Sequence, residues 1–307
     1  MPLPKKILSH FIFWSIIASF ASVILFISIF FYYSRYLPDP NSWQDRKVVQ
    51  STKIYDRENK ILLYEIHGEE KRTVIAFDQI PKIVKDATIV VEDAEFYNHS
   101  GVNFRGILRA ILADIKDQKI LEGGSSITQQ LIKNAYLSPE RTLSRKIKEL
   151  ILAITLERKY SKDEILNFYL NQIPYGSNSY GVEAAAQAYF NKPAKELNLA
   201  EAVYLAALPK APSYYSPYGS HGDELKARAN YILSRLYDLK YISKKDLDEA
   251  EKTTVDFADK ETGIIAPHFV FYIEQYLEDK YGADVVNQGL NVITTLDTDL
   301  QHSGETI

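Results

Sequence analysis

Cysteine is absent from all 307 residues, which removes disulfides and thiolate chemistry while leaving the redox compartment open. A dominant charge is missing as well. The net formal charge of −4 is spread along the chain and argues against a nucleic-acid partner, which would want a strongly basic surface. The phosphate-loop pattern Gly-x-x-x-x-Gly-Lys-Ser/Thr does not occur, and there is no internal repeat or low-complexity tract. In one long stretch charge disappears altogether: residues 7–34 contain no Asp, Glu, Lys or Arg.

That stretch includes FIFWSIIASFASVILFISIFFYY (residues 11–33), long enough to cross a bilayer core of roughly 30 Å. A helix of a soluble core rarely stays apolar on every face for so long. A cleaved signal peptide would end in small residues, whereas Phe30, Phe31, Tyr32 and Tyr33 end this one, as an interfacial aromatic belt does. Lys5 and Lys6 precede the span, and Arg35, Asp39 and Asp45 follow it. The expectation is a single-pass membrane anchor, with a cytoplasmic N-terminus and everything after residue 35 outside.

The hydrophobic content of 46% supports one or two packed domains. Residues 37–43 (LPDPNSW) read as an extended spacer. STKIYD and ILLYEIHG, flanking Arg57-Glu58-Asn59-Lys60, predict a β-hairpin. From there to about Lys252 the pattern is helical. Ile80, Ile83, Val84, Ala87, Val90, Val91 and Ala94 share a face, with Pro81 near the start. A second helix begins near Asn103 and carries Ile107, Leu108, Ile111, Leu112 and Ile115, followed by a polar loop at residues 116–124. Ser125 or Ser126, Thr142 or Ser144, Ser161 and Asn198 are the expected caps of four further helices. A last amphipathic helix covers residues 267–280, and residues 289–296 (GLNVITTL) read as a strand without a partner in the remaining chain. That strand is expected to be mobile or loosely packed, at the start of a linker whose following domain is absent.

Three segments crowd polar residues where helical pattern alone does not put them. In EDAEFYNHSG, Glu92 ends an apolar face, where desolvation favours a general base. In GGSSITQQLIKN, two glycines lead into a hydroxyl-capped helix whose N-terminus accepts anions, with Gln130, Lys133 and Asn134 on the next turns. In RKIKE, Arg145 and Glu149 share a helix face beside Lys146. Each has a plainer reading when taken alone: an acidic helix end, an ordinary loop and cap, a surface ion pair. Together they pair two carboxylates, which suit oxocarbenium-like sugar chemistry, with cations that suit a diphosphate leaving group. The combination points to a glycosyl transferase using an activated donor. A lytic glycan hydrolase, which has no need of the cations, and an inactive scaffold are the rivals.

EDAEFYNHSG, GGSSITQQLIKN and RKIKELILAITLE resemble, in this order, the signature motifs of glycosyltransferase family 51. The similarity continues through ILNFYLNQIPYG, GVEAAAQAYF and LAEAVYLAALPKAPSYYSPY, over residues 60–240 or so. The family comprises the N-terminal halves of class A penicillin-binding proteins and the monofunctional peptidoglycan glycosyltransferases. The resemblance implies a mainly α, lysozyme-like two-lobed domain at residues 60–240, after a cytoplasmic tail (1–10), the transmembrane anchor (11–33) and a spacer with β segment (34–59). Residues 241–307 would be linker toward a transpeptidase domain.

By the same resemblance, Glu92 is the general base acting on the acceptor sugar's 4-hydroxyl. Glu149, with Lys133 and Arg145, stabilises the diphosphate-lipid leaving group. Phe96, His99, Ser126, Gln130, Asn134 and Lys146 match further substrate-binding positions. The activity implied is polymerisation of lipid II into β-1,4 glycan with inversion, for cell-wall synthesis. The partners implied are lipid II, the growing glycan strand, membrane lipid and cell-wall synthesis proteins. No cofactor is required, with a divalent cation (Mg or Mn) an optional companion of the diphosphate. Family members usually carry Thr where Ser126 stands, which keeps the hydroxyl. Neither Ser-x-x-Lys nor Lys-Thr-Gly occurs, so no transpeptidase chemistry is expected of these residues.

Overall fold

The computed structural model describes residues 5–34, 51–66, 71–103, 106, 125–137, 142–259, 264–282 and 289–305. The expected spacer at 37–43, the helix face at 107–115 and the loop at 116–124 lie outside the described residues. The architecture is mainly α. The first helix, α1 (Lys5–Ser34), takes up the charge-free stretch over 30 residues. Among the residues whose side chains are described, no helix is long and apolar enough to cross a membrane.

The three polar segments, where described, belong to one helical body. Helix α2 (Lys82–Glu92) starts at Pro81, whose missing N–H costs nothing at a first turn, and buries Val84, Asp86 and every residue from Ala87 to Glu92. A helix buried this completely is a central post. It packs on α7 (Leu199–Ala207) and α8 (Gly222–Asp238), which also pack on each other. Helix α3 (Ile127–Tyr136) lies against both α4 (Leu143–Lys159) and α5 (Lys162–Gln172). One continuous core joins these helices with α6 (Val182–Phe190) and α9 (Lys244–Lys252). Its fully buried Leu, Ile and Val side chains contribute about 1.5–3 kcal/mol each.

The helix starts follow cap chemistry. Ser126, Ser161, Asn198 and Ser243 each close a capping box, with Gln129, Glu164, Glu201 and Asp246 respectively. Thr142 caps α4 by accepting the amide of Arg145. Each such cap stabilises its helix by about 0.5–2 kcal/mol.

The expected hairpin forms: β1 (Thr52–Tyr55) pairs antiparallel with β2 (Leu62–Ile66), and Asn59 takes a left-handed conformation (φ 57°) in the turn. Two expectations are corrected here. The C-terminal strand is not alone: β6 (Asn291–Ile293) pairs parallel with β1, with Ile54 opposite Val292. The order is β2-β1-β6, so β1 is the central strand, and the amide of Lys53 donates to Leu290 and that of Thr294 to Tyr55. This sheet covers α10 (Pro267–Tyr281) through a small second core of Ile54, Leu63, Ile66, Val270 and Leu277. A short helix, α11 (Thr298–Glu305), follows, tied back by the ion pair Arg57–Asp297 at 2.8 Å.

The stretch before Lys252 is also not helical throughout. Residues Lys71–Arg72 (β3) pair parallel with Ser179–Tyr180 (β5), which pairs antiparallel with Pro174–Gly176 (β4). Pro174 and Gly176 stop α5 as expected, but they do so by turning the chain into this sheet.

Candidate active site

Glu92 is the last residue of α2 and only 9% exposed. Its burial is matched by two donors from different helices. Gln130 Nε2, on α3, donates to Oε2 at 2.7 Å, and Arg228 Nη2, on α8, donates to Oε1 at 3.3 Å. Behind Gln130, the Tyr169 hydroxyl donates to the amide oxygen at 3.2 Å, which turns the amide nitrogen toward Glu92. Arg228 is held in turn by its Nε, which donates to the Ala207 carbonyl at 3.0 Å. The plainer reading of Glu92 as part of an acidic surface cluster does not survive this burial.

Asp93 plays a different part. His99 Nε2 lies 2.8 Å from Oδ2, Asn103 Nδ2 donates to Oδ1 at 3.1 Å, and the Ile127 amide donates to Oδ2 at 3.2 Å. The last contact shows what occupies the anion-accepting N-terminus expected of α3. A carboxylate of the protein already sits there, where a helix N-terminus favours negative charge. The Gln129 amide is taken as well, by Ser126 Oγ at 3.2 Å.

Ser126 and Phe96 are buried at 1% and 0% exposure, so both frame the site from behind. Ser126 Oγ donates to the Gly101 carbonyl at 2.6 Å. Gly101 has φ 85°, and a Cβ there would stand 2.9 Å from the Ala153 carbonyl on α4. Only glycine lets this turn rest on α4. Phe96 meets the His99 ring edge-on and carries the Lys162 ammonium 4.3 Å from its centroid.

The second carboxylate, Glu149 on α4, is 2% exposed. Arg145 Nη1 lies 3.3 Å from Oε1 and Lys146 Nζ donates to Oε2 at 2.9 Å. Lys146 also donates to Ser125 Oγ at 2.8 Å, joining α4 to the residue before the α3 cap. With Arg145 and Glu149 side chains at 18% and 3% exposure, this is a largely buried pair rather than a surface one. Arg145 Nε and Glu149 Oε1 are buried without a hydrogen-bond partner.

Lys133 and Asn134 stand exposed on the following turn of α3. Although the Lys133 side chain reaches solvent, protein atoms crowd its ammonium. That desolvation, first, holds its pKa below the ordinary lysine value; Glu149 opposes the shift, Arg145 adds to it, Glu92 opposes it and Lys146 adds to it. Lys133 thus lies within electrostatic reach of both carboxylates and both other cations. The sequence-predicted residues form two charged groups, Glu92 with Gln130 and Glu149 with Arg145 and Lys146, with Lys133 in the field of both. Phe96, His99 and Ser126 hold the backbone frame, and Asn134 stands exposed in neither group.

Four contributors escaped the sequence reading. They are Arg228, Tyr169, Lys210, whose pKa is lowered by desolvation and then by Arg228, and Tyr175, whose hydroxyl is pushed far up by burial and then by Glu92. For Arg228 a signal existed: it occupies the apolar register of α8, between Leu225 and Ile232. Among the described residues no group of three or more His, Asp or Glu gathers as a metal site.

A mainly helical domain that buries two carboxylates and rings them with cations suits sugar transfer from a phosphate-activated donor. The chain belongs to the transglycosylase family, which it matches over residues 59–237, in agreement with the resemblance to glycosyltransferase family 51. It is 38% identical over 286 residues to penicillin-binding protein 1A of Aquifex aeolicus, covering 93% of this chain and 39% of that protein. It is 38% identical over 271 residues to penicillin-binding protein 1A of Escherichia coli, covering 88% of this chain and 32% of the other. To penicillin-binding protein 1F of Bacillus subtilis it is 40% identical over 296 residues, covering 93% and 40%. The chain spans well under half the length of these relatives.

Proposed function

We propose that this chain is a peptidoglycan glycosyltransferase that polymerises lipid II into β-1,4 glycan strands, inverting the donor's anomeric carbon and releasing the diphosphate-lipid carrier. The observation that carries the reading is the pair of buried carboxylates with their fixed partners, Glu92 bonded to Gln130 and Arg228, and Glu149 flanked by Arg145 and Lys146. Glu92 takes the proton of the acceptor's 4-hydroxyl as that oxygen bonds to the anomeric carbon. The bond from that carbon to the diphosphate breaks on the opposite face, and its electron pair leaves with the phosphate. Lys133 and Arg145 meet the developing charge, while Glu149 holds Arg145 and Lys146 in place. Preorganised cations of this kind act without reorganising at the moment of reaction.

Glu149 faces Arg145 and Lys146, and no step is routed through a metal. Membrane anchorage is part of the proposal. Helix α1 is about 45 Å long at 1.5 Å per residue, more than a bilayer core requires. Its Ile12, Phe13, Trp14, Ile16 and Phe20 are all at least half exposed, an arrangement that favours lipid around it. Helix α1 also adjoins α4, the helix carrying Arg145 and Glu149, which suits a donor delivered from the membrane. The test is incubation of the purified, detergent-solubilised chain with lipid II. The expected product is a polymer cleaved by a β-1,4 muramidase; lipid II left as monomer overturns the proposal.

A further inference from the structure

A carboxylate that accepts a proton in every cycle must be ionised when substrate arrives, and a buried carboxylate stays ionised only if it is compensated. Glu92 side-chain exposure is 8%, and of its two donors Gln130 is neutral. Arg228 supplies the formal charge. Its side chain is 4% exposed, and arginine stays protonated even when buried. It cannot swing away freely, because Nε is fixed on the Ala207 carbonyl and its guanidinium lies 5.7 Å from the Tyr215 ring centroid. It also sits where α8 would otherwise carry an apolar residue, with Leu225, Ala229 and Ile232 buried around it. Placing an arginine there costs core packing and desolvation, which calls for a compensating role.

We infer that Arg228 is the positioning residue of this site: from α8 it keeps Glu92 ionised and fixes the orientation of its carboxylate. Oε1 is bound to Arg228 and Oε2 to Gln130, whose orientation is set by Tyr169. The proton is therefore received by a carboxylate braced from both sides. This inference rests on the reading of Glu92 as the base.

Other groups facing Glu92 are Lys133 from α3, Tyr169 from α5, Tyr175 from β4 and Lys210 after α7, with Asp93 its chain neighbour. Both tyrosines are pushed upward by burial first and stay neutral across the assay range. Burial, first, lowers the pKa of both lysines, and His99 is bonded to Asp93 rather than to Glu92. Loss of Arg228 should accordingly show on the acid limb of the rate profile.

The experiment measures kcat/KM for lipid II polymerisation against pH for wild type, Arg228→Lys and Arg228→Met. The methionine variant should lose about 100-fold or more at neutral pH, with its acid limb displaced upward by about one pH unit or more. Arg228→Lys keeps the charge and should recover most of the acid limb. A folded Arg228→Met variant with the wild-type rate and limb overturns the inference. If that variant fails to fold, the double variant Glu92→Gln/Arg228→Met decides. With no charge left to bury it should regain most of the lost thermal stability, and a double variant no more stable than Arg228→Met overturns the pairing. Should Glu92→Gln alone polymerise at the wild-type rate, the base assignment falls while this stability cycle still reads the Arg228–Glu92 pair.

Discussion

Asp93→Ala is the substitution whose cost the structure defines most closely. Asp93 is 5% exposed and accepts from His99, Asn103 and the amide of Ile127, itself fully buried. Truncation strands the Ile127 amide, at about 1–3 kcal/mol for an unsatisfied buried donor. It also removes a negative charge from the start of α3, worth about 0.3–1 kcal/mol and more where partly buried. The Asn103 amide can turn to solvent and adds little. The expected loss is therefore about 1–4 kcal/mol, falling on the junction between α2 and α3. Asp93→Asn keeps an acceptor oxygen and should lose about half as much. Thermal or urea unfolding followed by circular dichroism measures both. Because Gln130 reaches Glu92 from α3, polymerisation should fall further than stability explains. An alanine variant within about 0.5 kcal/mol of wild type would mean that Asp93 does not organise the motif.

Lys133→Ala and Arg145→Ala should each weaken binding of a phosphoglycolipid inhibitor by roughly 1.5–3 kcal/mol, about 10- to 150-fold in Kd, read by displacement or calorimetry; unchanged affinity in both places the phosphate site elsewhere. Ser161→Ala should cost about 1 kcal/mol at neutral pH. The Glu164 carboxyl is held below its ordinary pKa by the Ser161 amide and hydroxyl, so its stabilisation is present above the unfolded value. It fades as pH falls through the lowered one, and the gap between wild type and variant should narrow in acid; a gap that widens there contradicts the assignment. A reporter fused after Ile307 should be active only if it works outside the cytoplasm, and activity of a cytoplasm-specific reporter would overturn the anchor and the compartment together.

The helices and their starts were legible because their signals are local. Ser126, Ser161 and Asn198 cap by bonding residues three positions on, a spacing visible in the chain itself. What could not be read is what depends on distant segments. The partner of β6 is β1, some 240 residues upstream, and a parallel register leaves no hairpin signal. The strands of the β3-β5-β4 sheet are two or three residues long, too short for an alternation to appear. The anion site expected before α3 was chemically sound, but Asp93 fills it from 34 residues away. Glu92, Glu149 and Lys133 were readable as charges in apolar or crowded registers. Arg228 carried the same signal in α8 and needed the geometry of Glu92 to give it meaning.

The central claim is that Glu92, braced by Gln130 and Arg228, removes the acceptor's proton. Glu92→Gln keeps its shape and hydrogen-bonding capacity while removing proton acceptance. The direct measurement is the initial rate of lipid II polymerisation by wild type and by this variant, with folding checked by circular dichroism and phosphoglycolipid binding. The account predicts a folded, inhibitor-binding protein slowed by roughly 100-fold or more. A folded variant that polymerises at the wild-type rate would contradict it.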